Sequence, residues 1–443
     1  MTTTVRFFTS AALRPYEEVT GEIIHWLPRW ATVEFEGSRP VTGVWHSVRG
    51  RRRICWYTAE HTAALVGEHL ERYGDEPFWI VDLSDGHARV RVIECGGDGR
   101  PQASRVWEFD DWNMPTREEE HSPDGASRLI RTYKCVMSGV VVGATERRPG
   151  RTDIKFERPI SYPIPELGGE PFPCGRTITA TGARLIASIA QNSFQGRFYA
   201  AYREASTWKR GIATISTSRY CWPDEIDPIV NFNAEDLAPL VQTGELQPRW
   251  RGNYPFFGVV EVPPEGRSMD EVVAESPLPL DDALSVAIRV AAVAQRAHAA
   301  GHELGGIRPE LVYVRGDTNS RWSLSGIMHR GQAVIDATHC GEGICVPPVF
   351  PFDFSSRNDA HGLAQLLWYA LTGGHPHVAP EDFRQRQAWR DHECGKARRQ
   401  PWTGPAAIGR LLESVLFESG SLPRFEPFAA ELVQLQAAIS EKA

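Results

Sequence analysis

The first third of the chain alternates apolar and polar residues at the two-residue spacing of β-strands. Short runs rich in β-branched and aromatic residues predict strands at 31–37, 41–48, 52–58, 77–83, 88–95 and 129–146. Ser84-Asp85-Gly86 separates two of these runs and predicts a hairpin. Residues 59–73 have apolar side chains at helical spacing, whereas the acidic stretch 114–127 predicts an exposed loop. We therefore predict a mixed α/β domain over 1–157, whose role no motif indicates.

A Pro- and Gly-rich connector at 158–176 separates this part from the rest of the chain, because such composition favours extended backbone between domains. Short strands are predicted next, at 183–190, 196–202, 210–216 and 256–262. Helices dominate after residue 280. Strands followed by helices in one block predict an α+β fold for this second part.

Composition and charge limit the classes of partner. The chain has 443 residues, of which 42% are hydrophobic and 23% charged, as in soluble proteins of two or three domains. The formal net charge of −8 argues against nucleic acid and against an anionic membrane surface as partners, since both attract clustered positive charge. No segment reaches the roughly 18–20 apolar residues of a membrane span. The basic residues are mostly arginine, which indicates a GC-rich genome, and a bacterial source is expected.

The eight cysteines contain no Cys-x-x-Cys pair, so the sequence gives no support to a zinc ribbon or a thioredoxin-type redox site. A chain of this size does not need disulfides for stability. The N-terminal residues lack the basic region of a signal peptide. We therefore expect reduced thiols and a cytoplasmic location.

Residues 297–314, AHAAGHELGGIRPELVYV, resemble the stretch of a protein kinase in which a helix ends, the catalytic loop follows and a buried strand begins. His298 and Gly301 match the end of the helix, and Arg308-Pro309-Glu310 stands where the family has Lys-Pro-Glu. In the central helix at 358–377, Asp359 takes the place of the family's buried aspartate. Arg424 matches the late arginine of the domain.

Further stretches resemble kinase motifs in the same order. Residues 185–201 resemble the glycine-rich loop, with Gly196 retained, and 211–216 resemble the strand that carries Val-Ala-Ile-Lys. Residues 256–273 resemble the hinge between the lobes, and 323–328 take the position of Asp-Phe-Gly. The resemblance covers about 177–435 and implies a bilobal α+β domain behind the N-terminal mixed α/β domain. Its small β-rich lobe would be 177–262 and its large helical lobe 263–443.

The positions that carry kinase chemistry hold other residues in this chain. The resemblance places Gly306 on the catalytic carboxylate, Leu324 and Leu311 on the metal ligands, and Ile215 on the phosphate-binding lysine. An aliphatic side chain cannot ligate Mg²⁺, which needs oxygen ligands, and phosphoryl transfer depends on this charge stabilisation. We therefore expect no intact catalytic residue, no metal site and no cofactor, and we do not expect ATP to bind.

Residues that could replace the missing groups leave two alternatives open. Gly196, Lys209 and Arg308 would contact a nucleotide if one binds, whereas His298, Pro309, Asp359 and Arg424 are expected to be structural. The alternatives are an atypical Ser/Thr kinase or other ATP-dependent phosphoryl or nucleotidyl transferase, and a nucleotide sensor that works without metal.

The favoured interpretation is a pseudokinase, a catalytically inactive kinase-like protein of signalling pathways. It would act as a protein-binding scaffold or an allosteric regulator. Its partner would be a protein, such as an active kinase or the substrate of one.

Overall fold

The structure is a computed structural model. It describes residues 3–47, 52–86, 88–111, 114–135, 141–156, 174–178, 182–191, 195–216, 232–247, 257–301, 303–304, 307–317, 321–328, 330, 359–374, 376, 402, 404, 406–417 and 424–440. The chain divides into two compact units. The first unit comprises Met1–Thr217 and Gln242–Gly258, and the second comprises Ser218–Val241 and Val259–Ala443.

A twelve-stranded sheet forms the N-terminal part of the first unit, with the order β12-β11-β10-β9-β8-β7-β6-β5-β4-β3-β1-β2. Its strands are β1 Thr3–Phe8, β2 Glu18–Val19, β3 Arg29–Glu36, β4 Arg39–Ser47, β5 Arg52–Tyr57, β6 Phe78–Asp82, β7 Arg89–Cys95, β8 Pro101–Phe109, β9 Pro115–His121, β10 Ser127–Cys135, β11 Val141–Arg147 and β12 Ile154–Phe156. Only β5 and β6 pair in parallel among these strands, because helix α2, Ala63–Tyr73, connects them. A short helix, α1 (Gly21–Ile24), follows β2.

Two apolar clusters cover the two faces of this sheet, as the alternation of its side chains predicts. One cluster includes Phe35, Trp45 and Trp107 together with Ala11 and Ala12 from the buried connection between β1 and β2. The other includes Trp56 and Phe78, against which side chains of α2 pack. The structure confirms the predicted strands from 31–37 to 88–95. It also confirms the helix near 59–73 and the hairpin over Ser84-Asp85-Gly86.

Helix α2 is fixed to the sheet by a buried histidine. Thr62 caps the helix by accepting a hydrogen bond from the N–H of Leu65 at 3.1 Å. His69 Nδ1 accepts from Trp56 Nε1 at 3.0 Å, and His69 Nε2 lies 2.7 Å from the carbonyl oxygen of Glu76. These two contacts place the ring proton on Nε2, so both nitrogens of the buried imidazole have a hydrogen-bond partner.

The prediction of an exposed loop over the acidic stretch 114–127 is wrong, because most of it forms β9 and the turn into β10. Glu118 is paired with an arginine of β10, whereas Glu119 is paired with Arg117 and His121 of β9 itself. Arg131 Nη1 lies 2.9 Å from Glu118, and Arg131 Nη2 lies 3.0 Å from Glu146. Burial opposes ionisation of Glu146, but the hydrogen bonds and charges of Arg131 and Arg148 lower its pKa overall. Cross-strand ion pairs therefore allow an acidic sequence to form a strand.

A closed six-stranded barrel follows, with the order β13-β14-β15-β16-β18-β17. Its strands are β13 Thr177–Ile178, β14 Ala183–Gln191, β15 Gln195–Glu204, β16 Thr207–Ser216, β17 Leu240–Gln247 and β18 Phe257–Glu261. Pairing of Thr177 with Gln247 and of Ile178 with Leu246 closes the barrel. Near these strands a Cβ on Gly258 would lie 2.6 Å from the end of Ile178 and 2.8 Å from the end of Ile215, so a larger residue would have to displace the ends of these two side chains.

The second unit combines helices with a three-stranded sheet of order β19-β20-β21. Its described elements are β19 Arg267–Ser268, α3 Met269–Val273, α4 Leu280–Ala299, β20 Val312–Gly316, β21 Trp322–Ile327, α5 Asp359–Thr372, α6 Ala406–Phe417 and α7 Phe425–Ser440. Helix α5 is buried on all sides from Asp359 to Ala370, which is typical of a helix at the centre of a core. The predicted helix after residue 280 is confirmed as α4.

The predicted fold class, a bilobal α+β kinase-like domain with a large helical lobe behind a mixed α/β domain, is wrong. Strands make up 42% of the structure and helices 29%, and the twelve-stranded sheet and the six-stranded barrel are its largest elements. The β-content was underestimated because strands such as β9 carry many charged residues. Barrel closure was missed because it depends on pairing between strands distant in the sequence, which periodicity does not report. The division into 1–157, 158–176, 177–262 and 263–443 stays a prediction.

None of the helices in the described ranges is long and apolar enough to cross a bilayer. The cytoplasmic location stays a prediction.

Two cysteines of the twelve-stranded sheet are expected to resist thiol reagents. Burial raises the pKa of Cys55 to about 12 and that of Cys95 to about 11, so both stay protonated at about pH 8. Iodoacetamide labelling followed by peptide mass spectrometry should leave both thiols unmodified in the native protein and modify both in guanidinium chloride. Equal labelling of Cys55 in the two states would contradict its burial.

The same shifts predict an alkaline limit to stability. The native pKa of Cys55 lies above the ~8.5 of an unfolded thiol. The contribution of this protonated thiol to stability is therefore fully present below about pH 8.5 and is lost as the pH rises towards about 12.

Candidate functional site

The candidate site lies where the chain leaves α4 and enters β20, in the second unit. Asp359, at the start of α5, is 1% exposed and holds this connection in place. Its Oδ2 accepts a hydrogen bond from the backbone N–H of Leu304 at 2.7 Å and lies 2.9 Å from Nε2 of His298. One buried carboxylate oxygen therefore ties the end of α4 to the first residues of the connection, which fits a structural role for both side chains.

His298 lies between this carboxylate and the start of α7. The Phe425 ring meets the His298 ring edge to face, with 4.7 Å between the centroids. Nδ1 of His298 lies 3.6 Å from the exposed carboxylate of Glu426. The backbone N–H of Glu426 lowers the pKa of this carboxyl, and the charges of His298 and Arg424 lower it further. Arg424 itself is exposed, just before α7.

The Arg308-Pro309 pair forms a tight turn into β20. The Arg308 carbonyl oxygen accepts hydrogen bonds from the N–H groups of Leu311 at 2.9 Å and Val312 at 3.2 Å. Pro309 is a buried residue, and its carbonyl oxygen accepts a hydrogen bond from the backbone N–H of Asp270 at 3.3 Å. Arg308 is buried, with 7% of the residue exposed. These hydrogen bonds fix the backbone that follows Arg308.

Asp270 links the same turn to α5. The Tyr369 hydroxyl donates to Asp270 Oδ1 at 2.8 Å. Burial raises the pKa of this phenol, and its hydrogen bond to Asp270 raises it further. Tyr369 therefore stays a hydrogen-bond donor at neutral pH, and Asp270 connects α3, α5 and the Arg308-Pro309 turn.

Leu311 and Leu324, the two residues at the metal-ligand positions, are buried and 3% exposed each. Leu324 belongs to the main apolar cluster of the second unit, together with Leu304 and residues of α4 and α5. Its backbone is in β21 and pairs with Val314 of β20. Both leucine side chains fill the interior and present no oxygen or nitrogen atom, so neither can bind a cation or a phosphate.

The remaining predicted positions lie in the barrel. Gly196 of β15 pairs directly with Ile215 of β16, and Ile215 is buried. Lys209 lies on β16 with its side chain 46% exposed and its Nζ 3.6 Å from Glu204 Oε2. The structure thus brings Gly196 and Ile215 together and places Lys209 at the surface as a weak ion pair. Gly306, the position of the missing catalytic carboxylate, lies outside the described residues.

No family model matches this chain, and no curated protein matches it. One similar solved structure is the "Crystal structure of Rad53 kinase domain and SCD2 in complex with AMPPNP". The similarity has a TM-score of 0.33 and 14% identity, and covers 53% of this chain and 84% of that chain. This neighbour is a protein kinase domain, but a TM-score this low supports no conclusion about fold or function. The family resemblance therefore stays a prediction.

Sequence reasoning missed a second charged cluster in the same unit. Arg330 and Glu261 form a buried ion pair with 3.7 Å between Nη1 and Oε1. Arg330 also donates to the carbonyl oxygens of Phe232, at 2.9 Å, and Ala238. Burial lowers the pKa of Arg330, and Glu261 partly offsets this. No motif surrounds either residue in the sequence, so only the three-dimensional contacts reveal the pair.

The described residues contain no group of three or more His, Cys, Asp or Glu side chains placed to hold a metal ion.

Proposed function

We propose that this protein is a catalytically inactive relative of protein kinases that acts by binding another protein. The proposal concerns the loop and helix pattern of the second unit and does not depend on a bilobal kinase architecture. The observation that carries it is the packing of Leu324, which is 3% exposed within the main apolar cluster. A side chain buried in this way contributes to the stability of the unit and cannot take part in phosphoryl transfer.

The hydrogen bonds around Asp359 support the same proposal. The carboxylate holds Leu304 and His298 in one fixed arrangement, although the residues that would use this loop for chemistry are aliphatic. A loop that is already ordered in the free protein lowers the entropic cost of binding a partner. A protein partner is therefore a better fit than a turnover substrate, and an active kinase or a kinase substrate is the partner we propose.

Thermal unfolding with ATP tests this proposal. A protein that does not use nucleotide should melt at the same temperature with and without ATP, in the presence of Mg²⁺, Mn²⁺ or EDTA, because only a ligand that binds the native state raises the midpoint. Stabilisation that requires the metal would contradict the proposal and favour a transferase. Stabilisation that exceeds the effect of tripolyphosphate in EDTA would also contradict it, and would favour a nucleotide sensor.

If ATP does stabilise the protein, a matched pair of variants shows whether the ammonium group of Lys209 is responsible. Lys209→Met removes the ammonium group that a nucleotide could use. Lys155→Met removes another exposed lysine, in β12. Loss of ATP stabilisation in Lys209→Met alone would assign the transferase alternative to that residue, whereas equal behaviour of both variants would exclude it.

A further inference from the structure

An apolar cluster joins the start of the chain to the barrel within the first unit. From the start of the chain it takes Val19, Ile23, Ile24 and Leu27, with Phe7, Trp26 and Trp30 packed against it. From β14, β15 and β16 it takes Ile186, Ala187 and Ala201, with Tyr199 and Trp208 packed against it. We call residues 19–30 the cover segment and these five barrel residues the covered face.

The barrel does not need the cover segment to complete its sheet. Its six strands pair with one another in a closed order, whereas β2 and β3, on either side of α1, belong to the twelve-stranded sheet. Among the described strands, none of one sheet pairs with a strand of the other. Side chains make the contact, including Arg184 of β14, whose Nη2 donates to the carbonyl oxygen of Tyr16 at 2.5 Å. Separating the cover segment from the barrel therefore breaks no strand pair.

The helix in the cover segment depends on the covered face for its conformation. Helix α1 has four residues, and its N-cap residue, Thr20, makes no side-chain capping hydrogen bond. The turn continues beyond the helix, where the N–H of Trp26 donates to the carbonyl oxygen of Ile23 at 3.0 Å. Isolated helices shorter than about 12–15 residues are marginal in water. Packing on the barrel therefore keeps this segment in its helical turn.

The two sides of the contact show which kind of ligand fits the covered face. Ile186 and Ala201 are buried beneath the segment, so its removal would expose an aliphatic and aromatic patch of the kind that soluble proteins reserve for binding. The segment places Ile23, Ile24 and Leu27 on this patch. Apolar residues three and four positions apart are the anchors by which short helices bind apolar surfaces.

We infer that the covered face is a docking surface for a short apolar helix of another protein, and that the cover segment occupies it in the free protein as an autoinhibitory contact. A tethered segment has an effective concentration on the order of millimolar, so it competes strongly with a partner in solution. The inference adds a surface to the proposed function and rests on that proposal for the existence of an outside partner.

The probe for this surface is a fluorescently labelled peptide with the sequence of residues 18–30, added to the full chain and followed by anisotropy. Ile24→Asp puts a charge into the cluster and weakens the cover, so it should bind the peptide at least about tenfold more tightly than wild type does. Leu70→Asp is the matched control, because Leu70 lies on α2 and is 43% exposed. It should bind the peptide as weakly as wild type.

Two further variants guard against misfolding. Ile24→Ala is milder than Ile24→Asp and should bind the peptide at least about threefold more tightly than wild type. Trp208→Ala, added to Ile24→Asp, removes an aromatic ring of the covered face and should abolish the gain. A gain that persists in this double variant would show that the peptide binds elsewhere and would overturn the inference, as would equal binding by wild type and both Ile24 variants.

Hydrogen exchange shows whether the cover segment leaves the barrel intact when it opens. In Ile24→Asp, peptides from β14, β15 and β16 should exchange as in wild type, because their strand pairs stay closed. Faster exchange throughout these three strands would show that the segment is a structural part of the barrel and would contradict an autoinhibitory contact.

The peptide measurement uses no nucleotide and no outside protein, so it separates the inference from the proposed function. Equal peptide binding by all variants would remove the docking surface and leave the proposed function standing. Metal-dependent stabilisation by ATP would contradict the proposed function and leave the peptide result unchanged.

Discussion

Replacing Asp359 with alanine is expected to destabilise the second unit by about 3–5 kcal/mol. The change removes hydrogen bonds from Leu304 N–H and from His298 to one carboxylate oxygen, and a hydrogen bond to a charged group is worth about 1.5–3 kcal/mol. It also leaves the Leu304 N–H buried without an acceptor. Hydrogen exchange of peptides from α4 and α5 measures the loss locally, which matters because two units need not unfold together.

Asp359→Asn is the control for this experiment. Asparagine keeps one oxygen that can accept from Leu304, but it loses the charge and replaces the second carboxylate oxygen with an NH2 donor, so we expect a loss of about 1–2 kcal/mol. An Asp359→Ala protein whose α4 and α5 peptides exchange no faster than those of wild type would show that the carboxylate does not hold this connection.

Replacing Leu324 with aspartate is expected to cost more than about 4 kcal/mol and to leave much of the second unit unfolded. The aspartate would restore the group that the kinase resemblance places here, but it would put an unpaired carboxylate into the main apolar cluster. A metal-binding position would instead face a cleft and accept the charge. Circular dichroism during urea titration, with and without Mg²⁺, measures the difference in unfolding free energy between Leu324→Asp and wild type.

Two further substitutions separate charge from shape at Leu324. Leu324→Met conserves volume and should cost less than about 1.5 kcal/mol. Leu324→Ala leaves a cavity and should cost about 2–5 kcal/mol. If Leu324→Asp proves no more destabilising than Leu324→Ala, or if Mg²⁺ stabilises it, then the side chain is not packed as the structure shows.

The local elements of this fold were largely predictable from the sequence. The strands that became β14, β15 and β16 and the helix that became α4 follow from periodicity alone, because the signal lies within each segment. Strand β9 was missed because Glu118 is balanced by Arg131 of β10, and a local pattern does not show that pairing. The barrel was missed for the same reason, since its closure joins Ile178 to Leu246.

The candidate site shows the same division between local and distant information. The sequence singled out His298, Asp359, Arg308 and Leu324 by their order along the chain. The structure adds that Asp359 binds His298 across 61 residues and that Leu324 is packed in the core. The Arg330–Glu261 pair could not be predicted, because it depends on which side chains meet after folding.

Incubation with γ-labelled ATP tests the central claim most directly. The full chain, with Mg²⁺ or Mn²⁺ and with generic protein substrates or its own side chains as acceptors, should incorporate no label above a heat-denatured sample. Incorporation that requires the metal and is abolished in Lys209→Met or Arg308→Met, but not in Lys155→Met, would show that this protein transfers phosphate and would contradict the account.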